Sequence, residues 1–188
     1  FVNTTGARNV AIGTNVLVAN TTGQQNVAIG TYSMLNNTIG VSNIAIGAYA
    51  MRDNTTGAIN TAIGTLALEN NTEGQQNTAI GSSCLAANTT GQLNTAIGSA
   101  ALDANTTGAN NTAIGVGSLG SCTTGVSNTA IGYTSGNAIT TGINNTIIGN
   151  EADGAATVSN QIAIGYSTVV SAQYGIAIGD NVSAATND

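Results

Sequence analysis

Glycine recurs along this chain with a fixed step. Eleven glycines close an Ala-Ile-Gly or Ile-Ile-Gly triplet, and the first nine, Gly13, Gly30, Gly47, Gly64, Gly81, Gly98, Gly115, Gly132 and Gly149, are each 17 residues apart. A second set, from Gly6 and Gly23 to Gly142, keeps the same step in another phase. Two phase-locked glycines per unit, with no insertion between units, predict a stack in which each unit closes on itself through the same two tight corners. Helix is disfavoured by those glycines, by the β-branched Thr and Ile around them and by the lack of an apolar stripe at 3.6-residue spacing. The expected fold is all-β: a parallel β-solenoid, or β-roll, as one domain over 1–188. Regular 17-residue repeats fill 1–149 and shorter ones fill 150–188.

The unit reads Asn-Thr-Ala-Ile-Gly-x-x-Ala-Leu-x-x-Asn-Thr-Thr-Gly-x-x. One strand is expected at Asn-Thr-Ala-Ile and a second through Ala-Leu, with the Asn-Thr-Thr-Gly corner between them using a glycine at φ > 0. Stacking turns each phase into a column. Ile29, Ile46, Ile63, Ile80, Ile97 and Ile114 form one expected core column, and Leu68, Leu85 and Leu102 belong to another. Alanines such as Ala79 and Ala96 sit beside the isoleucines, and neighbouring strand residues face opposite ways. With Ile inside, the Ala face points out and is expected to pack on another chain.

The repeated Asn26, Asn43, Asn60, Asn77, Asn94 and Asn111 predict a structural ladder of side-chain amides bonding along the stack. Triplets such as Asn88-Thr89-Thr90 match the N-glycosylation acceptor but are explained by the corner alone. Cys84 and Cys122 lie in different phases two coils apart, too badly matched for a disulfide.

Only 5% of the residues are charged, and the net charge is −6. With no basic face, no nucleic-acid partner is expected. No run reaches the roughly 20 apolar residues of a membrane-spanning helix, so no membrane insertion is expected. Phe1 opens partway into a unit, so what precedes it is expected either to have been removed by processing or to lie outside this stretch of chain. No His is present and the acids are scattered in phase, so no metal, cofactor or catalytic residue is assigned. The outward slots show no clustered aromatic or charged patch. Glu69 and Asp103 share a phase two coils apart, roughly 9.6 Å, which leaves a polysaccharide-cleaving fibre as one alternative. The column of Thr21, Thr38, Thr55, Thr72, Thr89, Thr106, Thr123 and Thr140 leaves an ice-binding solenoid as another.

After Gly149 the step shortens to 16 and then 14 residues. The segment Gln161-Ile162-Ala163-Ile164-Gly165 through Gly175-Ile176-Ala177-Ile178-Gly179 resembles the head repeat of trimeric autotransporter adhesins. That resemblance implies a left-handed β-roll with three chains packed side by side. The 17-residue units are similar to arrays in phage tail fibres and in bacterial surface proteins that end in a self-cleaving chaperone. Together these imply a non-enzymatic, extracellular, homotrimeric fibre on a cell or virion surface, holding a protein or glycan receptor of the host.

Overall fold

A computed structural model describes residues 4–185. Each 17-residue unit contributes one three-residue strand: β1 Val10–Ile12, β2 Val27–Ile29, β3 Ile44–Ile46, β4 Thr61–Ile63, β5 Thr78–Ile80, β6 Thr95–Ile97, β7 Thr112–Ile114, β8 Thr129–Ile131 and β9 Thr146–Ile148. The shorter coils add β11 Ile162–Ile164 and β13 Ile176–Ile178 to the same parallel sheet, and β10 Asp153–Gly154, β12 Val169–Val170 and β14 Ser183–Ala184 form a second one. Every pairing in the long sheet is in register, Ala79 opposite Ala96 and Ile80 opposite Ile97. Ten steps of about 4.8 Å between its eleven strands make a rod about 48 Å long.

The second expected strand is absent from the 17-residue coils. The Ala-Leu segment is a turn, because alternate residues there adopt left-handed backbone: Tyr49 at φ 60° and Met51 at φ 50° in one coil, Ala100 at 55° and Leu102 at 52° in another. A strand would send neighbours to opposite faces. The left-handed residues cancel that alternation, so Ala50 and Met51, or Ala101 and Leu102, both point inward and are fully buried.

This reverses the faces of the strand. From Ala28 to Ala130 the strand alanines are the fully buried residues, facing the Leu and Met column across a narrow interior. Ile63, Ile80, Ile97 and Ile114, expected inside, instead lie on the outer face of the sheet at 37–38% exposure, and Ile29 and Ile46 are half-buried there. The interior already holds a leucine, a small residue and two asparagines per coil, which leaves room opposite for a methyl group only. Leu68, Leu85 and Leu102 are buried as expected.

The two glycines also have different reasons to exist. Gly64, after the strand, sits at φ 138°, a conformation that other residues rarely adopt. Gly74, in the Asn-Thr-Thr-Gly corner, has no positive φ; a side chain there would overlap the Asn71 side chain and the Gly91 carbonyl.

Candidate binding surface

Two ladders of buried amides close the coils from within. In the first, Asn77 receives through its Oδ1 both the backbone N–H of Asn94 at 3.0 Å and its Nδ2 at 3.2 Å, and the same pattern joins Asn26, Asn43, Asn60 and Asn111 to their neighbours. The second was missed at the sequence level: Asn20, Asn37, Asn54, Asn71, Asn88 and Asn105, in which each asparagine from Asn37 onward donates from Nδ2 to the Oδ1 one coil back at 2.7–2.8 Å. Its signal was present in every Asn-Thr-Thr-Gly corner, but it reads equally as a turn asparagine bonding its own backbone. Both ladders meet on one carbonyl. Gly91 O accepts from Asn77 at 2.9 Å and from Asn88 at 3.1 Å.

The second ladder stops where Cys122 and then Ile139 take the slot, and Asn105 Oδ1 is left as a buried acceptor with no partner. In the coil after that, Gly136 empties the leucine slot and the buried Ile139 packs close to it. The first ladder runs on to Gln161, whose backbone N–H donates to Asn145 Oδ1 at 2.9 Å. Burial takes the Asn88-Thr89-Thr90 triplet out of reach of glycosylation in the folded chain, since Asn88 is wholly enclosed. Cys84 and Cys122 are both buried free thiols, and burial pushes Cys84 up to about 12.

The threonine column donates inward along the rod. Thr89 Oγ1 bonds Thr106 O at 3.0 Å and Thr106 Oγ1 bonds Thr123 O at 3.2 Å. Each such hydroxyl proton is thereby committed to the next coil. Of the carboxylates of the catalytic alternative, Glu69 pairs with Arg52, and Asp103 stands two coils on with Ala86 between. Burial raises Asp103 above the usual carboxylate range, and burial raises Asp153 too, although Asp153 accepts from the backbone N–H groups of Ala138 and Gly154.

One clustered patch does exist on the outer surface. The rings of Tyr32 and Tyr49 stack with centroids 5.1 Å apart and planes 24° apart. Three residues on, Arg52 donates from Nε and NH2 to Asp53 and from NH1 to Glu69, while Asn36 Nδ2 bonds Asp53 Oδ1 at 2.9 Å. The Arg52 hydrogen bonds hold Asp53 below the usual carboxylate range and, reciprocally, raise Arg52. The 17-residue step already places Arg52 and Glu69 in one column as a surface pair; the tyrosine stack and the asparagines beside them were missed.

The largest feature by extent is the outer face of the long sheet. Its isoleucines, from Ile12 to Ile178, form one unbroken apolar row, with a second row that changes from Val27 and Ile44 to Thr61, Thr78, Thr95, Thr112 and Thr129. Monomeric surfaces rarely expose apolar strips of this length. No helix is long and apolar enough to cross a membrane, and among the described residues no group of His, Cys, Asp or Glu could hold a metal ion. Compared with family models, curated proteins and solved structures, the chain matches none.

Proposed function

We propose that the chain is a segment of a non-enzymatic extracellular fibre, whose chains pack side by side as a homotrimer and present an adhesive surface on a bacterial cell or a virion. The observation that carries this reading is the isoleucine row on the outer sheet face. Burying a whole Ile side chain is worth about 1.5–3 kcal/mol, so covering the exposed third or more recovers ~0.5–1 kcal/mol per coil. Over eleven strands that sums to ~5–11 kcal/mol, comparable with the ~4–15 kcal/mol cost of association. A short array could not hold partners this way; a long one can. The left-handed coil and the number three rest on the resemblance to adhesin heads.

The test compares the native chain with an Ile80→Glu, Ile97→Glu double variant by sedimentation. Both side chains lie outside the coil, so the variant keeps the solenoid's circular dichroism while its mass falls from trimer to monomer. A native chain that is well folded and monomeric at micromolar concentration refutes the proposal. The alanines cannot serve for this experiment: Ala79 and Ala96 are inside the coil, and charging them destroys the fold itself.

A further inference from the structure

The outward slots of the rod are structurally permissive. Where one coil has Tyr49, Arg52 and Asp53, later coils have Ser83, Ala86 and Ala87, then Ala100, Asp103 and Ala104, then Gly117, Gly120 and Ser121. Coil closure therefore requires neither a ring nor a charge at these positions. Three successive coils nevertheless bring together Tyr32 and Asn36, then Tyr49, Arg52 and Asp53, then Glu69 and Asn70.

The cluster is held rigidly. The Arg52 N–H donates to Tyr49 O at 3.2 Å, fixing the ring-bearing residue against the charged one. The guanidinium is used up as a strut between Asp53 and Glu69. Outward bonding capacity remains on its neighbours: among the described residues nothing donates to Glu69 Oε2 or Asn36 Oδ1, and Asn70 Nδ2 has no acceptor. We propose that this patch is a carbohydrate-binding site, taking a neutral oligosaccharide whose pyranose ring lies against the Tyr32–Tyr49 pair while its hydroxyls bond Glu69, Asn36 and Asn70.

The chemistry selects that class. The C–H face of a pyranose is weakly positive and suits the negative face of an aromatic ring. Hydroxyls both donate and accept, so they satisfy a carboxylate and an amide N–H from one ring. Phosphate and other anionic ligands meet two carboxylates against one guanidinium that is already engaged. This deepens the fibre reading by naming what the fibre holds.

The soluble chain is titrated with maltotetraose, cellotetraose and triacetylchitotriose, followed by saturation-transfer NMR and by tyrosine fluorescence, which no Trp masks. Binding to at least one of them is expected near ~1 mM or tighter. It weakens at least tenfold in Tyr49→Ala and in Glu69→Gln, with melting unchanged because those slots accept Ala and Ser elsewhere. No binding to any of the three, or binding indifferent to both variants, overturns the assignment. Binding of tetralysine instead, lost in Glu69→Gln, overturns it too and makes the patch a protein-docking site. Sedimentation of the same samples reads the assembly separately, so failure of the fibre and failure of the sugar site are distinguishable.

Discussion

Replacing Asn71 and Asn105 in turn by Ala separates the hydrogen-bond energy of the second ladder from the cost of a cavity. Both side chains are fully buried, and both donate at 2.8 Å to the previous asparagine, Asn54 or Asn88, and at 3.1 Å to a glycine carbonyl, Gly74 or Gly108. Those carbonyls keep a second donor after either change, Asn60 at 2.8 Å or Asn94 at 2.9 Å. The difference lies one coil onward. Asn71 Oδ1 accepts from Asn88 Nδ2, whereas Asn105 Oδ1 faces the Cys122 slot and accepts from nothing. Asn71→Ala therefore adds a new buried orphan, Asn54 Oδ1, and strips Asn88 Nδ2 of one acceptor. Asn105→Ala orphans Asn88 Oδ1 but removes the orphan that was already there. The same atoms leave equivalent slots, so the cavity terms nearly cancel. Asn71→Ala should be the more destabilising by about 1–3 kcal/mol, the cost of one buried unsatisfied group. For a chain of this length that is about 2–12 °C in Tm. Urea and thermal unfolding followed by circular dichroism measure it. Equal losses within ~0.5 kcal/mol, or a larger loss at Asn105, refute the ladder as an energetic unit.

Three further outcomes follow from the same geometry. Cys122→Asn gives Asn105 Oδ1 a donor, and Gly125 O a second one beside Asn111, while passing the orphan one coil on, so it should stabilise by about 1 kcal/mol, or ~2–4 °C in a melting curve. Gly117→Ala should cost under ~1 kcal/mol, because Ala100 already occupies the equivalent slot at φ 55° and the new methyl meets only Thr134 Cγ2 at 3.3 Å; Gly64→Ala, which drives a methyl into the Gly81 carbonyl, should prevent folding at 37 °C, and circular dichroism distinguishes the two. Cys84, with its thiol pushed up to about 12 by burial, should resist iodoacetamide at pH 8 in the folded chain and react on unfolding; rapid labelling of the native protein would show that the coil opens there.

The period alone made the solenoid, its strand and the Leu68, Leu85 and Leu102 column legible, because a step that does not slip from Gly13 to Gly149 leaves no other way to align nine Ile-Gly corners. The direction in which Ile63 or Ile80 points was not legible. Ile was placed inside as the larger apolar residue; alternation holds within the strand but with Ala inward. It fails only in the Ala-Leu segment, where residues such as Tyr49 and Met51 turn left-handed, which no residue type at those positions announces. Met51 and Leu68 are poor left-handed residues in isolation; the hydrogen-bonded stack over-determines them. Of the Tyr32–Arg52–Glu69 cluster, the Arg52–Glu69 pair was legible from the 17-residue step; the tyrosine stack was passed over, although Tyr32 and Tyr49 share a column.

The strict register of the stack has a genetic consequence. Between Gly30 and Gly98 every coil presents an Ala-Ile strand and the same carbonyls and amide ladders to the coil above and below. Removing residues 82–98 would join Gly81 to Ser99 through a junction indistinguishable from the ones it replaces. Unequal recombination in steps of 51 nucleotides can therefore lengthen or shorten the rod without designing a new contact. Past Cys122 and Ile139 that freedom ends, since coils there no longer match their neighbours. Reach is thus a quantity that lineages can tune by copy number, while the tapered segment beyond stays fixed.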